Sequence, residues 1–309
     1  MENNKNLEVF SSMPVPKAVM KNALPAMAAM LMVLVYNLAD TFFIGQTHNA
    51  LLVAAVSLAT PVYLIFMSIG TLFGIGGTSV ISRALGEGKK EKARKSCAFC
   101  FWGCVFVGIL LLAFILIFID PILNLIGASA DTYEYAKSYL SIIVFAGPFV
   151  LISSCYGNVI RTEGESGKAM LGLLLGNLVN VILDPIFILA LGLDIKGAAI
   201  ATVIGNIVGA GFYISYFLKG KSMLSIRLKD FTVKQGIAAS VLAIGVPAAL
   251  GDALMSVSHI ISNSQMAHYG DMAVAGMTGL VWAQPVADVL SILIAAILFR
   301  KTMKKMQIM

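Results

Sequence analysis

Residues 172–191, GLLLGNLVNVILDPIFILAL, are long and apolar enough to cross a bilayer as one helix, yet they carry Asn177, Asn180 and Asp184. Offsets of three and four put those polar side chains on a single helical stripe. A carboxylate at membrane depth is costly, so such a stripe faces a bundle interior, a partner or a water-filled path. Pro185, directly after the acid, has no backbone N–H and frees the carbonyl of Val181. A polar, locally weakened spot midway along a spanning helix is therefore expected, which suits a transport site better than a structural span.

The rest of the chain agrees with a membrane setting. Charged residues make up only 12% of it and hydrophobic ones 59%, where soluble domains run near a quarter charged. At roughly twenty or more residues per span, 309 residues hold about eight spans with short loops. The polar start MENNKNLEVF and the long first apolar run do not read as a cleavable signal. The net charge of +6 does not call for a nucleic-acid partner, because of where the charge sits. All of the 22 Lys and Arg except Lys137 and Lys196 fall at the chain ends or at alternate loops, around 86–95, 161–168 and 219–234. That is the positive-inside pattern, so both termini are expected to be cytoplasmic. Cys97, Cys100 and Cys104 share one span with no His pair nearby, and read as small buried apolar residues rather than metal ligands.

The apolar periods place spans at 17–45, 51–85, 93–119, 133–160, 172–191, 198–218, 236–269 and 272–299. Pro25 is expected to kink the first, and Asp120-Pro121 to end the third. The basic segment 219–235 is the one plausible lobe boundary, separating a six-helix block, 1–218, from residues 236–309. ALPAMAAMLM at Ala23 and GVPAALGDALM at Gly245 align through Pro25 and Pro247, an offset of 222 positions, and HNALLVAAV at His48 aligns loosely with GDMAVAGM at Gly270. A repeated six-span block predicts a chain longer than this one, since only residues 236–309 follow the linker.

Two acids stand out among the polar groups at membrane depth. Asp40 and Asp184 are expected to pair across the first block, supported by Tyr36 one turn before Asp40, by Asn177 and Asn180, and by Thr202. Burial disfavours the charged form of each, so a proton or a sodium ion would bind there in competition with a cationic substrate. Pro25 and Pro185 supply bending and free carbonyls, as broken transporter helices do. Static capping of neighbouring helices by the same two acids remains the alternative. Glu163 and Glu165 are read into a solvated loop, and Asp252 and Asp288 into spans after the linker. No Walker loop, HExxH motif or nucleophile elbow is present, so no enzyme and no cofactor is expected.

Several motifs carry a family resemblance. NLADTFFIG at Asn37, SRALGEGKKEKA at Ser82, IRTEG at Ile160, NLVNVILDPIFI at Asn177, GAAIATVIGN at Gly197 and WAQPVAD at Trp282 together resemble the multidrug and toxic compound extrusion (MATE) family. The resemblance implies an all-α polytopic membrane protein: a six-helix N-terminal lobe plus two helices of an incomplete second lobe. It implies cation-coupled (H+ or Na+) export of organic cations across a bacterial-type plasma (inner) membrane. Asp40, Asn180, Asp184 and Thr202 match the family's N-lobe cation site, and Pro25 matches the first-helix proline whose bending follows protonation.

The chain departs from the family by passing from the start of an eighth helix near Met277 into the end of a twelfth near Gly279. Half of the cavity wall is then missing, and a homodimer is one way to complete it. The alternatives are a non-transporting membrane remnant and a lipid or oligosaccharide flippase. The flippase would need cationic side chains in mid-span, which the sequence lacks.

Overall fold

A computed structural model describes residues 15–47, 49–220, 222–234 and 236–267, together with positions 270 and 274. Its long helices are α1 (Val15–Gly45), α2 (Ala50–Gly86) and α3 (Lys90–Ile117). After the short α4 (Ile119–Leu125) come α5 (Tyr133–Ile143) and α6 (Gly147–Val159), joined by a 3-10 turn, Val144–Ala146. Next are α7 (Ser166–Asp184), continued by a π-helical turn, Pro185–Ala190, then α8 (Asp194–Leu218) and α9 (Ile237–Ala267). Seven helical segments among the described residues are long and apolar enough to cross a membrane. The eighth expected span, 272–299 with Pro285, Asp288 and the WAQPVAD motif, lies outside the described residues save for Val274, as do His48 and His268.

Prolines account for most departures from regular helix. Pro148 cannot donate to Val144, so the fourth span tightens into its 3-10 turn there and restarts as α6. Pro185 widens the end of the fifth span into the π turn. That span begins at Ser166, earlier than the apolar run suggests, so Asp184 ends a 19-residue α-helix rather than lying at its midpoint. The third span ends just ahead of Asp120-Pro121, as expected, since Pro121 has no N–H for the Ile117 carbonyl. The α3 helix stops at Ile117, and the pair sits in the first turn of α4, where proline needs no donor. The α1 helix runs without interruption through Pro25.

Small residues set two close helix crossings. A Cβ on Gly176 would stand 2.9 Å from the Gly205 carbonyl oxygen, and one on Gly205 would stand 2.7 Å from that of Gly176, so α7 and α8 touch backbone to backbone. The α9 helix lies along α2, where Gly245 meets the Leu72 carbonyl and Gly76 meets the Val241 carbonyl. Three hydrogen bonds tie this second crossing. Ser68 Oγ donates to the Ala249 carbonyl at 2.9 Å, Ser256 Oγ to that of Pro61 at 2.8 Å, and Asn263 Nδ2 to that of Ser57 at 3.2 Å. The Ser57 carbonyl is the one that Pro61, four residues later, leaves without its helical donor.

The segment after α8 is held firmly to the bundle. Glu163, expected in a solvated loop, is buried at 4% exposure because donors converge on it. Tyr216 Oη donates at 3.0 Å, Ser222 Oγ at 2.9 Å and the Met223 N–H at 2.8 Å. Glu165 faces Lys168 at 2.6 Å. Cys97, Cys100, Cys104 and Cys155 are all buried free thiols in the core.

Candidate functional site

The site is built where α1 packs on α7 and α7 crosses α8. The glycine contact between α7 and α8 brings Asn180 beside Thr202. The Asn180 amide finds partners at both ends in only one of its two orientations. Its nitrogen then donates to Asp184 Oδ2 at 3.0 Å, while its oxygen accepts from the Thr202 N–H at 3.0 Å and the Thr202 hydroxyl at 3.1 Å. All three side chains are buried, Asp184 completely.

The arrangement stops short of satisfying its acids. Asp184 Oδ1 is buried with no hydrogen-bond donor, and so is Asp40 Oδ1 on α1. The amide nitrogen of Asn177, one turn before Asn180, is also buried without a partner. None of the ion pairs among the described residues involves either acid. An unsatisfied buried polar atom costs about 1–3 kcal/mol, and more when charged, so empty acceptors are positions of demand.

The two carboxyl groups lie within electrostatic reach of one another. Tyr36 on α1, Tyr63 on α2 and Tyr139 on α5 lie near enough to Asp40 to interact with its charge, and Tyr36 and Tyr139 lie near enough to that of Asp184. Asn206, one turn after Thr202 on α8, donates to the Thr202 carbonyl at 2.8 Å. Chemically this is a buried cluster of oxygen acceptors holding two acids, neither of them paired with a Lys or Arg among the described residues. A buried carboxylate without a cationic partner favours taking up a proton or a small hard cation.

The structure thus brings together Tyr36, Asp40, Asn180, Asp184 and Thr202, with Asn177 one turn along the same helix. Pro185 adjoins Asp184 directly. Pro25 stands apart: fifteen residues of helix separate it from Asp40, about 22 Å along the axis, so it can act on the acid only through α1 itself. Tyr63 and Tyr139 were not foreseen, because a single tyrosine in an apolar span carries no periodic signal.

The MatE family model matches residues 25–186, which include Asp40, Asn180 and Asp184. Multidrug export protein MepA of Staphylococcus aureus (strain NCTC 8325 / PS 47) is 33% identical over 272 residues, covering 88% of this chain and 60% of that protein. The protein of the same name from Staphylococcus haemolyticus is likewise 33% identical, with the same coverage. An outward-facing structure of a multidrug resistance MATE family transporter superposes with a TM-score of 0.81 at 27% identity, over 94% of this chain and 64% of that one. An inward-facing structure of such a transporter gives 0.74 at 29% identity, over 79% and 56%. The chain spans about 60% of the length of the curated relatives it matches.

Proposed function

The chain belongs to the MATE family, a family of multi-pass membrane transporters and not of enzymes, and from that premise we propose that it exchanges a coupling cation, H+ or Na+, for organic cations carried outward. The observation that carries the reading is the pair of buried carboxyl oxygens on Asp40 and Asp184, both lacking donors, inside a cluster of tyrosine, asparagine and threonine.

In this mechanism a proton or sodium ion entering the pocket supplies the missing partner of both acids. Asn180 and Thr202 hold Asp184 in place so that its free oxygen stays directed at the ion. Binding of the ion removes the negative charge that an organic cation needs as its counter-charge, so the two occupants exclude each other. The Val181 carbonyl, to which Pro185 has no N–H to donate, would give the ion a further oxygen. The membrane is a bacterial-type plasma membrane, and basic loops held on one side put both termini in the cytoplasm.

Because this chain covers about 60% of its relatives, a second reading competes: the lobe folds and binds the ion but moves no substrate unless another copy completes the cavity. Proteoliposomes decide between them. Ethidium uptake driven by an imposed H+ or Na+ gradient, abolished in Asp184→Asn, is the result expected of the antiporter. Uptake no different from empty vesicles, with ion binding intact, would leave only the non-transporting lobe.

A further inference from the structure

The segment linking α8 to α9 forms an open cavity of about 270 Å3 against the bundle. Arg94 from α3 and Arg227 from the linker line it, and Phe217 and Leu218 at the end of α8 form its apolar side. The walls are fixed. Glu163 anchors Ser222 and Met223, Phe231 stacks on Phe99 at 6.2 Å, and Asp230 holds Arg94.

The charge in this cavity is only partly answered. Asp230 Oδ2 meets a single guanidinium nitrogen of Arg94 at 3.2 Å, leaving the remaining donors of a side chain that is 42% exposed. Arg227 forms no ion pair among the described residues. Of the other acids close by, Glu91 pairs with Lys95 at 2.6 Å, and Glu163 is buried and already accepts from Tyr216, Ser222 and Met223. The linker also exposes large apolar side chains between its basic residues: Leu228 at 64%, Val233 at 58% and Phe231 at 38%. Basic and apolar residues interleaved at the end of a membrane bundle are the composition of a segment lying in the headgroup layer.

We propose that this cavity binds a phosphate-bearing anion, the headgroup of an anionic lipid, between Arg94 and Arg227, while Leu228, Phe231 and Val233 rest at the border of the acyl chains. Guanidinium groups match phosphate oxygens in paired hydrogen bonds, and the apolar rim selects a phosphate that comes with a lipid tail. The lipid would then bridge α3 and the linker, fastening the connection between α8 and α9 to the bilayer.

Native mass spectrometry of the purified chain, titrated with phosphatidylglycerol or phosphatidylcholine, tests this. Phosphatidylglycerol is expected to be retained in preference to phosphatidylcholine, and to bind about ten-fold more weakly to the Arg94→Gln/Arg227→Gln double variant. Arg227→Gln alone, which leaves the Arg94–Asp230 pair intact, should lose about three-fold or more, so the outcome does not hang on folding of the double variant. Lys89→Gln/Lys92→Gln, which alters charge on the nearby turn, should bind as the parent does. Thermal unfolding with millimolar inorganic phosphate separates the source: stabilisation by phosphate and none by the lipid would keep the site but assign it to the free ion. Equal retention of both lipids, or equal losses in the linker and turn variants, would overturn the proposal.

Discussion

Asn180 donates to Asp184 Oδ2 at 3.0 Å and leaves Oδ1 of the same carboxyl group buried without a donor. One side of the acid is fixed by the protein and the other is left for something that comes and goes. Thr202 secures the fixed side by donating twice to Asn180.

Removing the threonine hydroxyl should therefore loosen the ion rather than the fold. Thr202→Val keeps the shape and one of the two bonds to Asn180, and should weaken cation binding several-fold, for a loss of about 1 kcal/mol. Thr202→Ser should bind as the parent does. Sodium or proton affinity of the purified variants, measured by calorimetry, checks both.

The crossing of α7 and α8 admits no side chain at its centre. Gly176→Val would press two methyl groups toward the Gly205 carbonyl, which even a Cβ approaches to 2.9 Å. Separating the helices parts Asn180 from Thr202, so cation binding should fall and the melting temperature drop by an amount matching about 1–3 kcal/mol of overpacking. Gly167→Ala, where a Cβ meets nothing within 4 Å, is the control and should change neither.

Asn263 answers the carbonyl that Pro61 orphans, across 206 residues of sequence. Asn263→Ala should destabilise the chain by about 1–3 kcal/mol, the range for a buried group left unpaired. In a Pro61→Ala background the Ser57 carbonyl regains its helical donor, so the same substitution should cost markedly less. A double-mutant cycle on thermal or denaturant unfolding in detergent measures the difference, and strict additivity would contradict the assignment.

The linker should respond to acid through Asp230. Hydrogen bonds from Ser225 and the Arg94 guanidinium hold its carboxyl below the usual carboxylate range. A folded value below the unfolded one, near 3.9, means the contact stabilises the linker above about pH 4 and is lost as pH falls through the lower, folded value. Protease cleavage within residues 219–234 should rise across that acidic window in the parent chain. Asp230→Asn should be cleaved at the same rate above and below it.

The legibility of this molecule in its sequence follows from which signals are local. Asn177, Asn180 and Asp184 were readable because polar groups at membrane depth have to turn inward, and three- and four-residue spacing says which way is shared. Asp40 was readable for the same reason. Tyr63 and Tyr139 were not, since a tyrosine in a span fits a core or a membrane border equally well. Glu163 looked solvated because its donors, Tyr216 and Ser222, come from 53 and 59 residues downstream. The long crossing of α9 on α2 was hidden for a similar reason: Gly76, Gly245 and Asn263 have meaning only once the two helices are side by side.

The central claim is that Asp40 and Asp184 take up and release a cation together, and infrared difference spectroscopy of the purified chain reads those carboxyl groups directly. Stepping pH or adding Na+ or ethidium should change carboxyl bands of the parent, with both signals altered in Asp40→Asn and in Asp184→Asn because the helices that carry the two acids pack on one another. Spectra that do not respond to any of the three, or that respond identically in the parent and both variants, would contradict it.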